Sequence, residues 1–233
     1  FMDAALIGSE VSCYLGNWLG RSHYEAGFHQ TATTGIFGAV AAASRLLALN
    51  EKQIRHALGI AATRAAGLTS QFGTMSKPYH AGMAASVGVE AAQLAGRGFI
   101  ANADGIDCMR GFADTHAADK NDSDHPFSLL GEHYVFADVQ HKLHACCHGL
   151  HASIEALEQL KTENNLEPTD VNHINIETNP RWLTVCNRPS PSTGLESKFS
   201  YRHLASLVFS TYNTAALSTY SDAVCNNPTL TRL

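Results

Sequence analysis

Met75-Ser76-Lys77-Pro78-Tyr79-His80-Ala81 opens an alanine-rich stretch that runs to Gly96. Proline is tolerated in the first turn of a helix, where its missing N–H would have had no intrahelical partner. The spacing therefore predicts a helix starting at about Pro78, with Ser76 or Lys77 in its capping region. Lys77 and His80 then flank a helix end whose unpaired N–H groups and dipole already favour anions. A lysine charge, a titratable imidazole and a helix N-terminus together suit a carboxylate or a phosphate. Taken alone, the same residues better fit a surface lysine beside an ordinary helix start, so the rest of the chain must decide.

Upstream, the sequence reads as helix after helix. From Asp3 to about Leu19, apolar residues fall near helical spacing, and Gly20 ends the run. Thr34 to Leu47 predicts a second helix whose Gly35, Gly38, Ala39, Ala42 and Ala43 would let neighbours approach closely. Asn50 followed by Gln53 resembles a capping box for a third helix running to about Gly67. Small residues on this scale predict tightly packed, largely buried helices. Arg64, in the third helix, reads as a charge on its exterior.

Downstream, Asp, His, Asn and Ser crowd between Asp114 and Phe136 with Pro126 and Gly131, which marks an irregular loop or linker. Gly149 to about Glu163 predicts a helix with Ile154, Leu157 and Leu160 on one face. Val171 to Thr178 alternates apolar and polar residues, as a half-buried strand does. Asn187 to Gly194 is a Pro/Ser/Gly loop, and Lys198 to Phe209 is again helical. The expectation is a mainly α fold: an all-helical domain over 1–137, then a smaller, incomplete α+β lid domain over 138–233.

Composition narrows the function. The 233 residues are 45% hydrophobic and 16% charged, ample for a core, with a net charge of −5. No long basic run can neutralise a nucleic-acid backbone, so no nucleic-acid partner is expected. The alanine-rich runs are cut by Arg, Gln, Glu and Gly, and none reads as a membrane span. Six scattered cysteines, with one adjacent pair, do not form a secreted disulfide framework and suit reduced thiols. No basic-plus-apolar leader opens the sequence, which begins at Phe1. A cytoplasmic protein lacking its native N-terminus is the expectation.

Two further clusters carry chemistry. In Gly27-Phe28-His29-Gln30-Thr31-Ala32-Thr33-Thr34-Gly35, a histidine stands just before a helix start rich in hydroxyls. His29 suits proton transfer near neutrality or anion binding, and equally a simple packing role. His141 to His151 holds four histidines and two cysteines within eleven residues, enough ligands for zinc in number. Its spacing has no Cys-x-x-Cys pair and no second ligand cluster, so a structural or substrate-facing turn is the preferred reading, with Lys142 as an anion contact. Dinucleotide-type glycine turns, phosphate loops and Gly-x-Ser-x-Gly elbows are absent from the sequence.

Taken in order, these segments resemble the MmgE/PrpD family. The matching pieces are Gly27-Phe28-His29 with its Thr/Gly-rich helix, Ala57-Leu58-Gly59-Ile60-Ala61, Ser76 to Gly82, the Lys142 to His151 turn, and Leu195-Glu196-Ser197-Lys198-Phe199-Ser200. The likeness extends over nearly the whole chain. That family includes 2-methylcitrate dehydratase, cis-aconitate decarboxylase and iminodisuccinate epimerase. The resemblance implies an all-helical domain with an α+β lid, a homodimer or higher oligomer, no metal and no cofactor. It implies a small di- or tricarboxylate substrate, in agreement with Lys77 and His80 read as an anion site.

Residue by residue, His29 matches the family's active-site histidine, Lys77 its active-site lysine, and Lys142 a basic residue at its domain junction. The roles implied are Lys77 and Lys142 holding carboxylates, His29 moving a proton, His80 supporting the helix-start site, and Cys147 facing substrate. The family's decarboxylase branch is expected to carry a histidine where Cys147 stands, which favours dehydration, as in 2-methylcitrate dehydratase, or isomerisation. Members of the family are longer, and an Asp and a His of their site lie before the first helix here. The resemblance therefore implies a chain shortened at both ends. The alternative function is that of a catalytically impaired paralogue serving as a ligand-binding or helical interaction protein. A zinc module built on the His/Cys turn is a third reading.

Overall fold

The computed structural model describes residues 1–119 and 127–231, and the chain divides into two compact units. The first comprises Phe1–Gln71 and Ser76–Val139; the second comprises Phe72–Met75 and Gln140–Leu233. The fold is mainly α, as expected.

In the first unit, helix α1 (Met2–Glu25) is followed by the single turn α2 (Gln30–Thr33), then α3 (Gly35–Leu46), α4 (Glu51–Ala62), α5 (Ser76–Gly96) and the short α6 (Phe112–His116). The helical path of α1 breaks at Gly20 (φ 69°, ψ −164°), where the sequence predicts its end, and then resumes to Glu25. Glycine adopts positive φ without a Cβ penalty, and the resumed turn is held by burial of His23. Asn50 and Gln53 form the expected capping box, each side chain accepting the other's backbone N–H at 3.0 Å. Helix α4 stops at Ala62 rather than near Gly67 because the chain beyond it turns to pair with the segment before α2.

Helix α5 starts at Ser76, so Ser76 and Lys77 lie inside its first turn rather than capping it, and Pro78 is its third residue. This costs nothing in hydrogen bonds, since the first four N–H groups of a helix have no intrahelical acceptor. Small residues set the spacing between helices. A Cβ on Gly8 of α1 would lie 2.6 Å from the Gly38 carbonyl oxygen of α3, and one on Gly88 of α5 would lie 2.3 Å from the Ala39 Cβ of α3. Leu19, Ile36, Phe37, Val40, Ala57, Ala91 and Phe112 fill the resulting core. Arg64 is on the exterior, paired with Glu90 at 3.0 Å.

The irregular stretch expected over Asp114–Phe136 is met in part. Asp114 lies in α6, residues 120–126 fall outside the described residues, and Val135–Asp138 forms a 3-10 turn. The Glu10 carboxylate of α1, buried in this unit, accepts the Val135 and Phe136 N–H groups at 2.7 and 2.8 Å and so caps that turn.

In the second unit, a 3-10 turn at His148–Leu150 leads into α7 (His151–Asn164), followed by α8 (Pro180–Cys186), α9 (Gly194–Ser197), α10 (Tyr201–Phe209), α11 (Asp222–Cys225) and α12 (Pro228–Thr231). Ile154 and Leu157 of α7 pack with Leu204, Leu207 and Val208 of α10, whereas Leu160 is exposed. Helix α10 begins at Tyr201, not Lys198, because the Ser200 hydroxyl caps it by accepting the His203 N–H at 3.2 Å.

One element departs from expectation. Val171–Thr178 is not a strand, and among the described residues the bridges are isolated ones, Phe28 with Leu68 and Asn187 with Ser200. An alternating pattern specifies a two-faced extended segment, but a strand also needs a neighbour to complete its ladder. Here the α+β character expected of the second domain is not expressed as a sheet.

Candidate active site

His29 is placed by backbone pairing. Its N–H donates to the Gly67 carbonyl at 3.0 Å, and the Thr69 N–H donates to the Gly27 carbonyl at 2.8 Å, so Gly27–His29 and Gly67–Thr69 run side by side. Its own carbonyl accepts the Ala32 and Thr33 N–H groups at 2.9 and 3.1 Å, which makes His29 the N-cap of α2. Gly67 has φ +142°, and a Cβ there would meet Ala32 at 2.7 Å and the His80 ring at 3.4 Å. Only glycine allows that backbone conformation and that approach together.

The His29 ring then meets the first turn of α5. His29 Nδ1 and His80 Nδ1 are 3.1 Å apart, with one nitrogen donating and the other accepting. His29 is 7% exposed. Burial, then the Lys77 ammonium, then His80, pull its pKa from 6.5 down to about 4. At neutral pH the His29 imidazole is uncharged and able to accept a proton. The structure thus brings together three of the residues predicted from sequence: His29, Lys77 and His80.

Sequence reasoning missed what stands behind them. His23 is fully buried, with Nδ1 2.8 Å from the His116 carbonyl and Nε2 2.7 Å from the Thr33 hydroxyl. A carbonyl only accepts, so Nδ1 carries the proton and Nε2 accepts from Thr33. Thr33 belongs to the turn that His29 caps, and Phe28 stacks on His23 with ring centres 4.7 Å apart. The sequence reading ended the helix at Gly20, and the helical register breaks there, so the stripe of Leu15 and Leu19 did not announce His23; once buried, it needs partners for both nitrogens.

The other two predicted residues belong to the second unit. The exposed Lys142 ammonium donates to the Cys146 carbonyl at 3.3 Å. Cys147, partly exposed, precedes the 3-10 turn, and its N–H donates to the Lys198 carbonyl at 3.0 Å. Around them, His144 bonds Thr214 at 2.8 Å and Glu155 at 3.2 Å, while His148 and His151 lie ring against ring. Among the described residues, no three His, Cys, Asp or Glu side chains are arranged to share one metal ion.

The low pKa of His29 makes stability depend on pH. Between about 4 and 6.5 the unfolded chain binds a proton at this position that the folded chain refuses. Stability is therefore full above pH 6.5, falls as pH drops towards 4, and levels off below. After allowance for screening by water, His29 alone is expected to contribute a loss of about 2 kcal/mol. Burial also holds His23 and His116 below their ordinary pKa, which adds loss of the same sign. Urea unfolding at pH 7 and pH 4 measures the loss, and His29→Gln should flatten it; an unchanged slope would show that His29 does not titrate this way.

Residues 1–124 match the MmgE/PrpD N-terminal domain and residues 144–233 the MmgE/PrpD C-terminal domain. The chain is 31% identical to human cis-aconitate decarboxylase over 182 residues, which is 76% of this chain and 38% of that enzyme. It is 29% identical to a cis-aconitate decarboxylase-like protein of Aspergillus oryzae over 231 residues, covering 90% of this chain and 47% of the relative. With a cis-aconitate decarboxylase of Aspergillus terreus the identity is 27% over 237 residues, covering 94% and 48%. The chain thus spans less than half the length of these relatives. Two domain matches in sequence order, the first holding His29, Lys77 and His80 and the second holding Cys147, place this chain in the MmgE/PrpD family.

Proposed function

We propose that this chain carries the acid-binding and proton-moving part of a lyase acting on a small di- or tricarboxylate. The observation that carries the reading is the uncharged, buried His29 imidazole beside His80 and within the field of the Lys77 ammonium. Taking a proton from carbon next to a carboxylate builds negative charge on that carboxylate. A fixed cation beside it lowers the barrier, and a neutral imidazole can accept the proton. His29 moves the proton, Lys77 holds a carboxylate and His80 orients His29. Lys142 and Cys147 are proposed as further substrate contacts, as the family resemblance implies.

Two reactions compete. The cysteine at position 147 favours dehydration of a hydroxy acid such as 2-methylcitrate, while the names of the curated relatives favour decarboxylation of cis-aconitate. Following citrate, 2-methylcitrate and cis-aconitate with the purified chain by proton NMR separates the two. Loss of water supports the first and release of carbon dioxide the second. Binding of an acid without turnover supports the ligand-binding alternative.

Among the described residues, no helix is long and apolar enough to cross a membrane. We propose a cytoplasmic location from the scattered cysteines, which suit reduced thiols. We also propose that it self-associates as a dimer or higher oligomer. Leu6 and Ile7 of α1 and Met83 and Val89 of α5 are exposed apolar side chains that a second copy would cover. Light scattering at micromolar concentration should return at least twice the mass of one chain; a clean monomer would refute self-association.

A further inference from the structure

We propose that Cys147 and Cys186 form a modification site, a paired dithiol that a hydroperoxide converts into an internal disulfide. Neither the acid site nor its chemistry is needed for this pairing.

The geometry comes from helix α8. Pro180 and the Asn179 side chain, which accepts the Arg181 N–H at 3.1 Å, start that helix, and Trp182 and Cys186 then fall at i and i+4 on one face. That face packs on the turn after Cys147. A Cβ on Gly149 would lie 2.5 Å from the Trp182 ring and 3.0 Å from Cys186 Sγ. The missing side chain of Gly149 is what lets the Cys186 sulfur reach the turn. There the thiols of Cys147 and Cys186 are joined by a hydrogen bond. To form a disulfide, the two hydrogen-bonded sulfurs must close to a bond length of about 2.05 Å.

The neighbouring thiol is directed elsewhere. Cys146 bonds the Tyr220 hydroxyl, and its Sγ also donates to the Cys147 carbonyl at 3.7 Å. The adjacent cysteines thus serve different partners. Access divides the roles within the pair. Cys186 is 0% exposed, whereas Cys147 is partly open to solvent and so to an oxidant. The hydrogen bond with Cys147 and then burial push the Cys186 thiol up, so it stays protonated until it resolves the oxidised Cys147, and the Lys142 ammonium opposes this only weakly.

The step balances as follows. The Cys147 thiolate attacks one peroxide oxygen, the O–O bond breaks, and the departing oxyanion takes a proton from water, leaving Cys147 sulfenic acid. Cys186 sulfur then attacks Cys147 sulfur, the S–O bond breaks, and the Cys186 proton leaves with the hydroxide as water. Two thiols are oxidised and one peroxide is reduced.

The test is to treat the full chain with hydrogen peroxide, block remaining thiols in denaturant, digest, and map the products by mass spectrometry. The expected product is a peptide pair joined through Cys147 and Cys186 that reductant separates. It should survive Cys146→Ser and disappear in Cys186→Ser, where Cys147 is instead trapped as sulfenic acid by a cyclic dione. A link that persists in Cys147→Ser but is lost in Cys146→Ser would overturn the assignment. So would a native chain in which Cys147 stops at sulfenic or sulfinic acid, or is not oxidised at all.

Discussion

Replacing Lys77 with alanine is expected to abolish stabilisation of the protein by small polycarboxylates and to cut any turnover by two to three orders of magnitude. The turnover figure is the cost of removing one preorganised group that stabilises charge developing in a transition state, about 10²–10³-fold. The binding effect follows from linkage. An acid at a hundred times its dissociation constant stabilises the folded state by about 2.7 kcal/mol, roughly 5–10 °C in Tm for a chain of this size. Citrate, 2-methylcitrate and cis-aconitate are the probes. Stabilisation that persists undiminished in the variant would remove Lys77 from the site.

The same substitution has a second readout that requires no substrate. Lys77 is one of three causes holding the His29 pKa at about 4, behind burial and ahead of His80. Its removal should raise the His29 midpoint part of the way towards 6.5, because burial remains. An NMR titration of the imidazole distinguishes this from general damage, which would expose the ring and carry the midpoint the whole way. A midpoint that does not move would mean that the ammonium is not beside His29.

How far the sequence alone reaches is visible in the same residues. Lys77 and His80 were legible because proline marks a helix start by a local steric rule, and three residues of helix put both on its first turn. His29 was legible as a histidine before a helix, but its meeting with His80, 51 residues later, depends on Gly67 and the bridge to Phe28, which no local pattern announces. The capping box of α4 was read correctly because its two hydrogen bonds close within three residues, whereas the start of α5 was read two residues late. Val171–Thr178 fails for the opposite reason. Alternation fixes the faces of an extended segment, while strand identity rests on a partner elsewhere in space. His23 was not legible, since it lies past the break at Gly20 and its hydrogen bonds to Thr33 and His116 join residues distant along the chain.

Two glycines of α5 should respond to the same substitution with opposite sign. Gly82 has open space where a Cβ would stand, so Gly82→Ala gains helix propensity and should stabilise by roughly 0.5–1 kcal/mol. Gly88 gains the same propensity, but its Cβ would lie 2.3 Å from the Ala39 Cβ and 2.9 Å from backbone atoms of Ala39 and Val40. Backbone cannot rotate aside as a flexible side chain does, so α3 and α5 must part along their contact. Overpacking of this kind costs about 1–3 kcal/mol and at times more, which outweighs the propensity gain. A net loss of about 2 kcal/mol is expected, and a difference between the two variants of roughly 6–12 °C in Tm. The crossing also carries the site, because α3 continues from the turn that His29 caps while α5 begins with Lys77 and His80. Parting these helices should therefore raise the His29 midpoint in Gly88→Ala and leave it in place in Gly82→Ala. Two variants of equal stability would show that the α3–α5 contact does not set the spacing on which the site depends.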